Sequence, residues 1–94
     1  MEFVYELEEF LIKRKKELPQ GSYTARLFQE GEDVILKKII EEAGEVLLAV
    51  KSGDKKEIIH EVADLWFHLL VILVEKDILI DDVINELKRR HRQK

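Results

Sequence analysis

Hydrophobic and polar residues alternate along this chain with the spacing of amphipathic helices. Apolar side chains recur every three or four residues in a first segment, residues 3–16, and again in a second segment that begins near Glu32. The second segment has its apolar positions at Leu36, Ile39, Ile40, Ala43, Leu47 and Val50. Each segment is therefore predicted to form a helix with one buried face.

Glycine and capping residues predict where the later helices begin and end. The second helix is expected to stop at Ser52-Gly53, because glycine readily adopts the left-handed C-cap conformation. Asp54, followed three residues later by Glu57, is a capping-box pattern and predicts a third helix that continues to about Lys76. A short fourth helix is predicted over residues 81–90, whose acidic start and basic end suit the helix dipole.

Residues 17–31 include Pro19, Gly21 and Ser22 and are predicted to form a long connection. Such a connection is unusual in a small domain and is more often functional than idle. The predicted architecture is all-α: a four-helix, bundle-like single domain over residues 1–94.

The third predicted helix is apolar on nearly every side between residues 62 and 74. Such a helix belongs in the interior of an assembly, and a chain of 94 residues can hardly enclose it alone. We therefore expect a homodimer. A narrow polar stripe remains on this helix, at Glu61, Asp64, His68 and Glu75. Because an isolated buried carboxylate is costly, the stripe must face a partner or a cavity.

Composition excludes several classes of function. The net charge is −4, which argues against a protein that grips nucleic acid. The absence of cysteine excludes disulfides, thiolate zinc sites and cysteine nucleophiles. The acidic N-terminus does not resemble a signal peptide, and the longest apolar run, residues 69–74, is too short to span a membrane. We expect a cytoplasmic protein with no membrane or nucleic-acid partner.

Five acidic residues form the candidate site: Glu41, Glu42, Glu45, Glu61 and Asp64. A three-residue step places Glu42 with Glu45, and likewise Glu61 with Asp64, on one face of a helix. If the two pairs come together, the like charges repel strongly unless a cation lies between them. The spacing therefore predicts a divalent-metal site.

An ordinary alternative is a solvated helix face on which the first three acids pair with nearby lysines. Glu61 and Asp64 weigh against it, because their helix has few lysines and apolar surroundings. Oxygen-only ligands favour Mg²⁺ first and Mn²⁺ second. A di-iron site is disfavoured, because the Glu-x-x-His pattern that it needs twice occurs only at residues 57–60.

Magnesium held by carboxylates often completes its coordination with substrate phosphates. Candidate substrate contacts combine a lysine ahead of the acids with hydroxyls and a guanidinium in the long connection: Lys38, Ser22, Tyr23, Thr24 and Arg26. For the connection, a turn with a stacked tyrosine is an equally good interpretation.

The acidic pattern Glu41-Glu42-x-x-Glu45 followed by Glu61-x-x-Asp64 resembles the signature of the all-α nucleoside triphosphate pyrophosphohydrolases, also called MazG-like. Within this superfamily, residues 22–27, 38–45 and 60–70 most resemble the phosphoribosyl-ATP pyrophosphohydrolases of histidine biosynthesis. The resemblance covers nearly all of the chain after residue 20. One departure is Ile40, where many relatives have glycine.

The resemblance implies Mg²⁺-dependent hydrolysis of phosphoribosyl-ATP to phosphoribosyl-AMP and pyrophosphate by a homodimer of helical subunits. It also implies a set of metal ligands, which are Glu42, Glu45, Glu61 and Asp64. Glu41 becomes a candidate general base or a group that orients the attacking water. Two other hypotheses stay open: an enzyme that removes non-canonical nucleoside triphosphates, and a non-catalytic helical dimerisation module.

Overall fold

The computed structural model describes residues 2–93, which form five helices. They are α1 (Glu2–Glu17), α2 (Tyr23–Glu30), α3 (Glu32–Ser52), α4 (Lys55–Glu75) and α5 (Ile80–Arg92). The described residues contain no strand, so the all-α prediction is confirmed. The predicted domain span of residues 1–94 includes Met1 and Lys94, which lie outside the described residues.

Helices α3 and α4 form an antiparallel hairpin around Gly53. Gly53 has φ of 77°, and its N–H donates to the carbonyl groups of Ala49 and Val50. This left-handed conformation suits glycine, which has no Cβ to clash. The Asp54 carboxylate then accepts from the backbone N–H of Lys56 at 3.0 Å and starts α4. The predicted end of α3 and start of α4 are therefore confirmed.

The long connection predicted over residues 17–31 was wrong, because this segment contains α2. The Ser22 hydroxyl caps the helix by accepting from the backbone N–H of Ala25 at 3.2 Å. Gly31 ends it, and its N–H donates to the Leu27 carbonyl at 3.0 Å. A helix of eight residues is too short to be stable alone and depends on packing, which periodicity does not reveal. The chain has this helix in addition to the four predicted.

The hydrophobic core lies at the end of the hairpin that is opposite Gly53. Helices α1 and α2 cover this end, where α3 begins and α4 finishes. The buried side chains of the core are Leu11, Leu27, Phe28, Ile35, Val71 and Val74. Of the acids singled out from the sequence, Glu45 and Glu61 therefore lie nearer to the turn than this core does.

Two charged side chains of α1 hold the ends of the neighbouring helices. The Lys15 ammonium donates to the carbonyl groups of Val74 at 3.3 Å and Glu75 at 3.1 Å, at the C-terminal end of α4. The Glu8 carboxylate accepts from the backbone N–H of Ile80 at 2.7 Å, at the start of α5. Each charge has the sign that complements the helix end it meets.

Part of the hairpin surface is left uncovered by the other described helices. On α3, Ile40 is 74% exposed and Leu47 is 61% exposed, and on α4 Trp66 is 61% exposed. A single chain therefore does not bury the apolar surface of α4. None of the helices formed by residues 2–93 is long and apolar enough to cross a membrane.

Candidate metal centre

The hairpin places the two acidic pairs opposite each other, at the same distance from the turn. Glu45 lies eight residues before Gly53, and Glu61 lies eight residues after it. Glu42 and Asp64 are each eleven residues from the same glycine. Because the two helices run antiparallel with equal rise per residue, positions equidistant from the turn face each other. The folding of one hairpin is therefore enough to assemble the acidic cluster.

The predicted metal ligands form two overlapping groups. Carboxylate oxygens of Glu42, Glu45 and Glu61 lie within 4.8 Å of one another. Ligand atoms of His60, Glu61 and Asp64 also lie within 4.8 Å of one another. Glu61 belongs to both groups. The structure thus brings the four predicted residues together around Glu61, with Asp64 on the side of His60.

The proximity of the carboxylates changes their proton affinity. The pKa of Glu61 is raised from 4.5 to about 7, first because the protonated group can hydrogen-bond to Glu45, then because of burial and repulsion from Glu45. The pKa of Glu42 is also raised, first by burial and then by repulsion from Asp64. Each pKa shift includes repulsion between two residues that lie opposite each other in the hairpin. The protein alone leaves these charges poorly compensated.

The acidic cluster lacks a lysine or arginine ion pair in the part of the chain that the structure describes. Within residues 2–93, no lysine or arginine forms an ion pair with the five acids singled out from the sequence. In addition, Glu61 Oε2 is buried and has no hydrogen-bond partner. A buried carboxylate oxygen without a partner, facing other carboxylates, fits the coordination of a hard divalent cation. This geometry disfavours the alternative of a lysine-paired helix face.

An open cavity of about 580 Å³ gives access to the acids. Glu45 and Glu61 lie in its wall, and the remaining lining residues are Leu48, Ala49, Ser52, Asp54 and Glu57. The cavity therefore reaches the cluster from the side of the Gly53 turn. It is open enough for a nucleotide phosphate to approach Glu45 and Glu61.

Residues 4–91 match the family model described as phosphoribosyl-ATP pyrophosphohydrolase. The chain belongs to this family. The match extends from α1 to the last turns of α5, so it covers the whole hairpin and its acidic cluster. Members of this family are hydrolases by name, and cleavage of a phosphoanhydride generally relies on a divalent cation.

Curated relatives agree with this assignment. The chain is 58% identical over 91 residues to the phosphoribosyl-ATP pyrophosphatase of Leptospira biflexa, covering 97% of this chain and 99% of that protein. It is 50% identical over 84 residues to the phosphoribosyl-ATP pyrophosphatase of Neisseria gonorrhoeae, covering 89% and 78%. It is also 50% identical over 88 residues to the histidine biosynthesis bifunctional protein HisIE of Bacillus subtilis, covering 94% of this chain but 42% of that protein.

The residues predicted to contact substrate lie in different environments. Ser22 and Arg26 line a smaller cavity of about 200 Å³ beside the start of α2. Thr24 is buried, and the Tyr23 hydroxyl lies 3.1 Å from His68 Nε2. Lys38 is half-buried, and its charge partly offsets the rise in the pKa of Glu42. The contacts predicted for Ser22, Arg26 and Lys38 stay predictions.

Glu41 lies apart from the other acids. It is exposed and belongs to neither of the two groups of ligand atoms. Its position four residues before Glu45 places it one turn away along the same face of α3. This side chain is therefore free to approach the edge of the site, and its role as a base or orienting group stays a prediction.

Two histidines join the site, although the sequence did not assign either to it. His60 Nε2 lies 3.4 Å from Asp64 Oδ2, and the four-residue spacing on one helix could have indicated this contact. His68 Nδ1 lies 3.6 Å from Glu42 Oε1 on the neighbouring helix. The sequence alone indicates only that His68 shares the stripe of Asp64, because the contact with α3 depends on how the hairpin packs.

Proposed function

We propose that the chain hydrolyses phosphoribosyl-ATP to phosphoribosyl-AMP and pyrophosphate in a Mg²⁺-dependent reaction, the second step of histidine biosynthesis. One observation carries the proposal: in a member of this family, the carboxylates of Glu42, Glu45 and Glu61 meet, and a buried oxygen of Glu61 has no hydrogen-bond partner among residues 2–93. Such a cluster is suited to a cation that also binds phosphate.

In this proposal, Glu42, Glu45, Glu61 and Asp64 hold the cation. A cation held by these residues would supply positive charge for the phosphates and would lower the pKa of a water molecule. A hydrogen bond with Glu45, burial and repulsion from Glu45 raise the pKa of Glu61 to about 7, so without a cation this carboxylate binds a proton more readily than an isolated glutamate does. Binding of a cation by the four carboxylates would displace this proton.

The other predicted residues act on water and substrate. Glu41 accepts a proton from the water that attacks phosphorus, the bond between the α and β phosphates breaks, and pyrophosphate leaves. Lys38 lies one turn before Glu42 and supplies positive charge for the phosphates. Ser22 and Arg26, which share a cavity wall, bind a polar part of the nucleotide. These roles use side chains that are exposed or half-buried.

We also propose that the active form is a homodimer and that it resides in the cytoplasm. The uncovered face of α3 supports the dimer, because its exposed residues Leu36, Ile40, Ala43, Leu47 and Val50 follow one another at steps of four and three. This spacing is that of a helix-packing seam. A second copy would bury it together with the exposed Trp66 of α4.

Pyrophosphate release from phosphoribosyl-ATP, measured with Mg²⁺ and again with excess EDTA, tests the proposed reaction. We expect rapid release with Mg²⁺ and none with EDTA. A panel of ordinary and non-canonical nucleoside triphosphates is the control for specificity. A preference for any of these triphosphates over phosphoribosyl-ATP would favour an enzyme that removes non-canonical nucleotides and would contradict the proposal.

Light scattering coupled to gel filtration tests the homodimer. Ile40→Glu places a charge on the proposed seam and should convert the dimer to a monomer. Phe3→Glu is a matched control, because Phe3 is 68% exposed but lies on α1, away from the seam. Dissociation by Phe3→Glu but not by Ile40→Glu would place the interface elsewhere.

A further inference from the structure

His68 lies buried where α2, α3 and α4 meet. Its side chain is 6% exposed, yet it makes polar contacts with all three helices. On its own helix it contacts the Asp64 backbone, on α3 it approaches Glu42, and on α2 it contacts Tyr23. None of the steps proposed above uses this histidine, so its contacts call for a separate explanation.

The contacts determine which ring nitrogen carries the hydrogen. His68 Nδ1 lies 2.9 Å from the Asp64 carbonyl oxygen. A carbonyl oxygen only accepts, so Nδ1 must donate. In the neutral ring Nε2 is then an acceptor, and the Tyr23 hydroxyl, 3.1 Å away, donates to it. The two hydrogen bonds hold the imidazole in one tautomer and one orientation.

Aromatic packing restrains the same ring. The Phe67 ring lies 5.2 Å from the imidazole at an interplanar angle of 89°, and the Tyr23 ring lies 6.2 Å away at 86°. Edge-on packing of this kind disfavours rotation of the imidazole. The Nδ1 edge of His68, whose N–H donates to Asp64, therefore lies 3.6 Å from Glu42 Oε1 and packs beside this carboxylate with little freedom to turn away.

Glu42 is the carboxylate that this arrangement influences. It is the most buried of the predicted metal ligands, and the restrained ring of His68 lies against it. We infer that Tyr23 and His68 are positioning residues that hold Glu42 in the orientation needed to bind the metal. The Tyr23 hydroxyl serves the metal site through His68 and does not contact the substrate. This inference rests on the metal site of the proposed function.

The inference changes the role predicted for Tyr23 from the sequence, where it was a candidate substrate contact. Through the chain of contacts from Tyr23 to His68 to Glu42, a helix that does not carry a ligand supports the ligand set. Outer groups that orient ligands affect metal affinity by about 10- to 100-fold.

Tyr23→Phe tests the inference, because it removes the hydroxyl and keeps the ring that packs on His68. We expect the dissociation constant for Mn²⁺, measured by electron paramagnetic resonance on the substrate-free protein, to rise about tenfold. Tyr5→Phe is the matched control. It also removes a tyrosine hydroxyl that donates to a side chain, but the acceptor is Asp81 at the start of α5. The control should bind Mn²⁺ as the wild type does.

Kinetics separate the two roles of the hydroxyl. If Tyr23 positions the metal ligand, saturating metal should restore kcat in Tyr23→Phe, with the KM for phosphoribosyl-ATP unchanged. An unchanged Mn²⁺ constant with a raised KM would show that the hydroxyl contacts the substrate and would overturn the inference. Equal weakening of Mn²⁺ binding by Tyr5→Phe would overturn it as well, because the effect would then be general.

The same measurements distinguish this inference from the proposed function. A wild type that binds Mn²⁺ but does not hydrolyse phosphoribosyl-ATP would contradict the function, while weaker Mn²⁺ binding by Tyr23→Phe would still support the inference. A wild type that is active, with a Tyr23→Phe variant that binds Mn²⁺ equally well, would contradict the inference alone. A wild type that binds no Mn²⁺ would contradict it too.

Discussion

Glutamates in two regions of this protein differ in whether a positively charged side chain pairs with them. On α5, Glu86 accepts from Arg89 Nε at 2.9 Å and from Arg90 Nε at 2.9 Å, so its charge is matched within the same helix. Between α3 and α4, Glu45 and Glu61 face each other without an arginine or lysine partner in the described part of the chain. The pKa of Glu86 is lowered by its arginines, whereas that of Glu61 is raised to about 7 by Glu45.

The difference teaches how to separate a surface charge from a functional one. Glutamate is common on both helices, so residue type alone does not distinguish them. What distinguishes them is whether the protein supplies the counter-charge. On α5 the protein supplies this charge through Arg89 and Arg90, so Glu86 needs no other partner. On the hairpin the protein does not, and the remaining way to neutralise the acids is a cation from outside.

The largest expected effect comes from removing charge at the hairpin. Glu45→Gln and Asp64→Asn should each lower kcat/KM by at least about 100-fold, since a ligand matters at least as much as the groups that orient it. Circular dichroism and gel filtration should show that both variants stay helical and keep the wild-type oligomeric state. Full activity in both variants would mean that the acids are ordinary surface charges, like Glu86.

The second effect is stabilisation by metal. Mg²⁺ at a hundred times its dissociation constant should increase the free energy of unfolding by about 2.7 kcal/mol, because it binds only the folded cluster. Urea denaturation with and without Mg²⁺ measures this increase. It should be lost in Glu61→Gln and retained in Glu86→Gln. Equal stabilisation of both variants would show that Mg²⁺ acts elsewhere on the surface.

A smaller effect concerns pH in the absence of metal. Folding raises the pKa of Glu61 from 4.5 to about 7, so the folded state binds this proton more tightly than the unfolded chain does. The contribution of Glu61 to the free energy of unfolding is fully present below about pH 4.5 and is lost as the pH rises through 7. A salt-bridged carboxylate has the opposite pH dependence, because its contribution is lost as the pH falls.

Thermal unfolding in EDTA between pH 5 and pH 8 measures this loss. Glu61→Gln removes the titrating group, so the decline in Tm of the variant should be shallower than that of the wild type. Identical declines would mean that Glu61 does not share a proton with Glu45 in the folded protein.

The smallest effect is expected on α5. Glu86→Gln should leave the free energy of unfolding and kcat/KM nearly unchanged, because exposed ion pairs contribute little to stability. Equilibrium denaturation and the pyrophosphate assay check both quantities. A large loss of activity here would give α5 a role in the site and would end the contrast between the two regions.

Local patterns were enough to predict most of the fold. The ends of α3 and α4 follow from Gly53 and Asp54, whose preferences act within a few residues. The segment that contains α2 was not assigned in the same way, because Pro19, Gly21 and Ser22 are typical of a connection and a helix of eight residues is too short to be stable alone. Its helix forms because Leu27 and Phe28 are buried against the core.

The sequence by itself determined that two acidic pairs would meet. Glu45 and Glu61 are the same number of residues from Gly53. In an antiparallel hairpin, residues at equal separation from the turn lie opposite each other. Only the tertiary structure decided which groups surround the pairs. The contact from Tyr23 through His68 to Glu42 joins residues on three helices, and spacing within one helix carries no information about such packing.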